Sequence, residues 1–176
     1  MSIITGRGDS GETDLLFGKR IAKTSLRIEA LGNVDELNAA LGLARAAASN
    51  DEWITLIDEL QSRLVGLMGQ LAYLPEDEAR YLEKKYAALT PADLDWVVAE
   101  AHRYEAQGIR FTGWARPGAE GSLARAGLDY ARAVARRAER SVLALHESGE
   151  LVPEVVRLFF NRLSDLLWIL ARVASE

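Results

Sequence analysis

Arg125, Arg132, Arg136 and Arg140 recur at spacings of seven, four and four residues. On a helix that spacing lines them along one face, with Arg137 to the side and Glu139 set back among them. Guanidinium forks bind phosphate oxygens in pairs, so a stripe of this kind suits a triphosphate. Most charged stripes are solvated faces, yet like charges at helical spacing repel unless something neutralises them. On a chain with a formal net charge of −5, a local excess of positive charge points to an anionic ligand.

A second cluster lies near the N-terminus, where Thr5, Gly8, Asp9, Gly11 and Thr13 are followed by Lys19, Arg20 and Lys23. Closely spaced glycines let backbone N–H groups approach phosphate oxygens, and hydroxyls with a lysine complete such a cradle. The pattern is not a P-loop, because no GK[ST] follows at the required spacing. A solvated, flexible tail is the alternative, and spacing alone leaves both open.

The C-terminal apolar run contains Asn161, Arg162, Ser164 and Asp165, of which Asn161 and Asp165 share a helical face with Trp168. Polar groups buried there must be hydrogen-bonded or cost about 1–3 kcal/mol each. A structural network, with Arg132 or Asp35 as partners, is the expected role of Arg162 and Asp165; Asn161 is the better candidate for a ligand contact. Asp35 sits among Glu29, Glu36 and Asn38, as ordinary surface charge or as partner to an arginine of the stripe. Such a pairing would keep its carboxylate ionised.

Helices must position these residues. Ala, Leu, Glu and Arg dominate, Pro occurs four times, and 49% of residues are hydrophobic against 27% charged, a globular and helix-favouring composition. A first helix runs from Leu26 to a break at Ser49–Asp51, and a second from about Glu52 to Tyr73 carries an apolar stripe. The stretch from Pro75 to Leu89 reads as an exposed connection or short helix. Thr90-Pro91-Ala92-Asp93 starts a third helix, ending near Gln107. Gly108–Gly121 is irregular; a fourth helix spans about Ser122–Glu147, and Pro153 opens a last one that is apolar around most of its circumference and runs to Ser175. The expected fold is all-α, an up-and-down five-helix bundle with a Gly-rich N-terminal loop. It forms one domain over 1–176, with 1–26 as phosphate-binding loop and 27–176 as bundle.

Other chemistries are disfavoured. There is no cysteine, and His102 and His146 lie far apart without a ligand pattern, so no protein-held metal is expected. The acidic balance argues against nucleic acid. No apolar run reaches membrane-spanning length and the first residues lack a signal-peptide layout, so a cytoplasmic protein is expected.

GRGDSGET, KRIAKTSLRIEALGNVDELNAALG, ARAVARRAERSV and FFNRLSDLLW, in that order, resemble PduO-type ATP:cob(I)alamin adenosyltransferases, with a less recognisable middle between about 50 and 107. The resemblance implies a homotrimer with active sites at its subunit interfaces. It implies an ATP phosphate site of Thr5, Gly6, Arg7, Gly8, Asp9, Thr13, Asp14 and Lys23, although Gly6 stands where the family is often basic. It further implies that Arg136, Arg137, Glu139 and Arg140 line the nucleotide, that Asn161 holds it, and that Asp35 and Arg132 form an inter-subunit ion pair beside the corrinoid. Mg²⁺ would accompany the triphosphate through its oxygens. In the implied reaction Co(I) of the reduced corrinoid attacks C5′ of ATP and expels triphosphate, with Arg136, Asn161, Arg132, Asp35 and Trp114 as the residues that carry it. A reductase and an acceptor mutase are the implied partners.

The corrinoid side departs from the family pattern. Where the family has a Phe three residues before a Pro-Gly turn, this chain has Trp114-Ala115-Arg116-Pro117-Gly118, with Phe111 nearby. The following connection is about two residues longer than the family's, and Asp129 stands where His is common. Trp114 is the first candidate, and Phe111 the second, for the aromatic that displaces the lower axial ligand. The altered loop also keeps open a carrier or sensor that binds ATP and corrinoid without efficient transfer.

Overall fold

A computed structural model describes residues 4–174; the first three residues of the expected loop and the end of the expected last helix at Ser175 lie outside them. Six helices and one small hairpin follow in order. The hairpin pairs β1 (Glu12–Asp14) antiparallel with β2 (Arg20–Ala22), Thr13 opposite Ile21. The helices are α1 (Leu26–Ala47), α2 (Asp51–Leu71), α3 (Glu78–Glu83), α4 (Pro91–Glu105), α5 (Leu123–Glu147) and α6 (Glu154–Leu170).

The helix starts are written in local chemistry. Ser25 Oγ accepts from the Ile28 N–H at 3.3 Å, Asn50 Oδ1 from Glu52 N–H at 2.7 Å, and Ser122 Oγ from Arg125 N–H at 3.3 Å. Each satisfies a donor that the first turn leaves without a partner. Thr90 and Asp93 form the capping box expected of α4.

α1 buries Ala30, Val34, Leu37, Leu41 and Ala44, a three-four spacing that packs on α5 and α2. α5 in turn packs on α6, and α6 on α4. Arg63 Nε meets Asp93 at 3.1 Å and Arg103 pairs with Glu52, so ion pairs link α2 to α4. The α1–α5 crossing is close because of Gly127: a Cβ there would stand 2.9 Å from the Ala44 Cα.

Three expectations are corrected. The bundle has six helices rather than five, the extra one being the six-residue α3 inside the connection after Pro75. The N-terminal segment is not all loop, since it closes into the three-residue strands of the hairpin. The last helix stops at Leu170, because Val173 pairs with Ile109 as an isolated bridge and draws the chain towards the loop after α4. No helix among the described residues is long and apolar enough to cross a membrane.

Candidate functional site

The hairpin folds the N-terminal cluster on itself. Turns run from Asp9 N–H to the Gly6 carbonyl (3.1 Å) and from Gly11 N–H to the Gly8 carbonyl (3.2 Å), with Gly6 and Gly11 at φ +68° and +84°. Those left-handed angles favour residues without a Cβ. Lys23 N–H donates to the Gly11 carbonyl at 2.9 Å, and a Cβ on Gly8 would stand 2.7 Å from Lys23 Nζ. The ammonium therefore lies against the bare backbone of Gly8. Asp14 Oδ1 accepts from Arg7 at 3.2 Å and from Arg20 at 3.0 Å, while Arg20 also reaches the Arg7 carbonyl at 2.9 Å. Arg7 N–H contacts Thr5 Oγ1 at 3.4 Å. Thr5, Gly6, Arg7, Gly8, Asp9, Asp14 and Lys23 are thus gathered on one small, largely exposed unit, with Thr13 in its first strand.

This unit is tethered to the bundle through α2–α3. Leu16 N–H donates to the Ala72 carbonyl at 2.8 Å and Lys19 Nζ meets Glu76 at 3.1 Å. Phe17 stacks on Tyr86 at 6.3 Å and under the Arg80 guanidinium at 4.5 Å. The backbone N–H of Glu76 first, and Lys19 second, hold the Glu76 carboxyl below the usual carboxylate range.

The arginine stripe of α5 divides. Arg125 is buried, donating to the Ala171 carbonyl at 3.3 Å and facing Glu120 at 3.5 Å. Arg137 donates to Asn33 Oδ1 at 3.0 Å and pairs with Glu36, cross-linking α5 to α1. The α1–α5 ion pair within the chain is therefore made by Glu36, one residue on from Asp35, which is exposed and has no partner among the described residues. Arg132 Nε lies 3.7 Å from Asp129. Arg136 is exposed, and among the described residues its guanidinium has no hydrogen-bond or ion-pair partner. Arg140 only reaches back to the Arg136 carbonyl at 3.0 Å; Glu139 is half-buried beside them.

On α6, Glu154, Leu158, Asn161, Arg162 and Asp165 form an outward stripe, so this helix is not apolar all round. The expected buried network of Arg162 and Asp165 with Arg132 or Asp35 is absent among the described residues: both are exposed, and Arg162 donates to its neighbour Asn161 Oδ1 at 2.8 Å. That bond leaves the amide N–H₂ of Asn161 for another acceptor. Arg162, Asp165 and Trp168 border a cleft of 520 Å³ against His102 and Glu105 of α4.

The loop of residues 108–121 covers one end of α5 and α6. Phe111 meets Trp168 edge to face at 5.5 Å, whereas Trp114 is 87% exposed. Both border a cavity of 310 Å³ with Arg125, Asp129 and Arg172 in its wall. Arg172 is a residue that sequence reasoning missed, because it sits where the last helix was expected to continue. Arg27, buried between the Leu71 carbonyl (3.0 Å) and Glu150 (2.5 Å), was missed too, since nothing in its spacing marks it. No group of three or more His, Cys, Asp or Glu that could hold a metal converges among the described residues.

The family model described as cobalamin adenosyltransferase matches residues 3–174. The chain is 35% identical to corrinoid adenosyltransferase PduO of Salmonella typhimurium over all of its own length and 50% of the relative's. It spans about half the length of two such relatives, the other from Citrobacter freundii. With a corrinoid adenosyltransferase of Mycobacterium leprae it shares 37% identity, covering 98% of this chain and 91% of the relative. A variant PduO-type ATP:corrinoid adenosyltransferase from Lactobacillus reuteri, solved in complex with cobalamin and ATP, superposes with a TM-score of 0.85 at 27% identity, covering 98% of this chain and 90% of that one.

Proposed function

Because this chain belongs to the cobalamin adenosyltransferase family, we propose that it transfers the 5′-deoxyadenosyl group of ATP to Co(I) of a reduced corrinoid. One observation supports this most directly: among the described residues the exposed Arg136 guanidinium has no partner, whereas Arg125 on the same face and Arg137 beside it are engaged in structural contacts. A cation kept in that state is available to an anion.

In this reading the cobalt's electron pair forms the bond to C5′, and the C5′–O bond breaks with its electrons leaving on triphosphate. Little acid–base work is required. The protein's tasks are to align the reacting atoms and to stabilise the departing charge. Arg136 and Arg140 from α5 and Lys23 beside the bare backbone of Gly8 take the second task. Arg7 and Asp14 hold the hairpin's shape through their mutual pair, so Asp14 acts on the nucleotide site through Arg7 and Arg20. The free amide N–H₂ of Asn161 holds the nucleotide from α6.

Mg²⁺ belongs to the same proposal. The ion takes phosphate oxygens as ligands, as is usual for it, and neutralises phosphate charge. A homotrimer with Asp35 and Arg132 paired across its interfaces, a corrinoid face built from Trp114 or Phe111, a cytoplasmic setting, and a reductase and an acceptor mutase as partners are further parts of the reading, carried by the family resemblance.

The test is an anaerobic absorbance assay with cob(I)alamin, ATP and Mg²⁺, following adenosylcobalamin. Catalytic turnover is expected. ATP binding without turnover would replace transfer by a carrier or sensor role.

A further inference from the structure

Besides the Ile109–Val173 bridge and the bond from Ala174 N–H to the Gly108 carbonyl, the loop of residues 108–121 is held at two points by Arg172. Its backbone carbonyl accepts from Arg110 N–H at 2.9 Å, and its Nη2 donates to the Ala115 carbonyl at 3.1 Å. Between those anchors lie residues 111–114, the short arc that carries Phe111 and Trp114. The Arg172 guanidinium also lies 4.7 Å from the centre of the Trp168 ring, which Phe111 meets edge to face. One side chain thus touches the arc's far end and the ring on which its near end sits.

Arg172 is only 5% exposed and Asp129 6%. They meet as a two-pronged pair, Nη1 to Oδ1 at 3.0 Å and Nη2 to Oδ2 at 3.2 Å. That geometry fixes the plane of the guanidinium as well as its position. Asp129 Oδ1 is in turn 3.7 Å from Arg132 Nε, on the arginine face of α5. A buried ion pair is seldom better for stability than apolar residues of the same volume. Its distinctive product here is a loop held at a set height over α5 and α6, tied by one carboxylate to the face that meets the nucleotide.

We propose that Arg172 and Asp129 are positioning residues for the corrinoid-facing arc, and that they couple its placement to Arg132; this rests on the adenosyl-transfer reading above. Arg172 orients Phe111 and Trp114 rather than touching the reacting atoms.

Arg172→Lys tests it, because a lysine keeps the charge but cannot grip both Asp129 oxygens in a plane and reach Ala115 as well. The variant should melt cooperatively and keep KM for ATP within about twofold, while kcat starting from the Co(II) corrinoid with reductant falls about tenfold or more. Amide hydrogen exchange should speed up at residues 111–116 and stay unchanged within α5. Asp129→Asn, which keeps the shape and loses the charge, should act in the same direction and carries the comparison if the lysine variant fails to fold. Wild-type Co(II) turnover with wild-type exchange in the loop would overturn the proposal, as would an equal loss of ATP affinity. Adenosyl transfer by the unaltered protein from chemically reduced corrinoid is run alongside. Its absence would sink the reaction itself, and loop exchange would still decide whether Arg172 pins the arc.

Discussion

At the residue scale the arginine face of α5 separates side chains already in use from one left free. Arg125 and Arg137 close contacts to Ala171 and Asn33, and Arg136 closes none among the described residues. Arg136→Ala should therefore change stability by no more than about 0.5 kcal/mol. It should lower kcat/KM for ATP by about 10²–10³-fold if the guanidinium stabilises departing triphosphate. Arg136→Lys should recover only part of that, since a point charge cannot bind two phosphate oxygens in a plane. Steady-state kinetics beside a thermal melt check both, and unchanged kinetics would take Arg136 out of the site. The stripe itself was legible because the helical period is fixed. Which arginines are free was not, because the partners that engage the others, Asn33 and Ala171, lie 104 and 46 residues away along the chain.

At the element scale, two contacts decide how the site is presented. The first is the α1–α5 crossing. Gly127→Ala places a Cβ 2.9 Å from the α1 backbone at Ala44, which cannot swing away as a flexible side chain could. The helices must separate, at a cost of about 1–3 kcal/mol, and a denaturant titration should show a lower midpoint with an unchanged slope. The second is the tether of the hairpin. Glu76 has a depressed carboxyl pKa, so the stabilisation it brings is present above its unfolded pKa and is lost as pH falls through the folded one. The carboxyl carbon of Glu76 should titrate below the ordinary carboxylate range by NMR, and the Leu16 amide signal, whose proton goes to Ala72, should move with it. Glu76→Gln should abolish that movement; a midpoint at or above the ordinary value would remove the Lys19 pair from the tether. The long helices were readable from spacing, and the start of α4 also from Thr90 and Asp93. The hairpin was not, and α3 only as one of two readings of the stretch after Pro75, since strands of three residues and a helix of six are too short to show a period.

At the scale of the whole molecule, the two candidate regions lie towards opposite ends of one arginine face. α1 and α5 run antiparallel, with Gly127 beside Ala44 and Arg137 beside Asn33. From Asp129, under the loop of residues 108–121, to Arg140, towards the hairpin end, the helix rises about 16 Å. A nucleotide bound on that face ties together elements that are otherwise joined by few contacts: the hairpin rests on the bundle through Leu16, Phe17 and Lys19. Any ligand that binds only the native state raises its stability by mass action. With ATP at a hundred times its Kd that gain is about 2.7 kcal/mol, which for a chain of this size raises Tm by about 5–10 °C. A calorimetric scan with and without ATP and Mg²⁺ should show the rise, and Arg136→Ala should show a smaller one at the same ATP concentration. Because only binding is read, this experiment needs no corrinoid and no reductant. An unaltered Tm with ATP in excess would remove the nucleotide from this face, and with it the role assigned to Arg136.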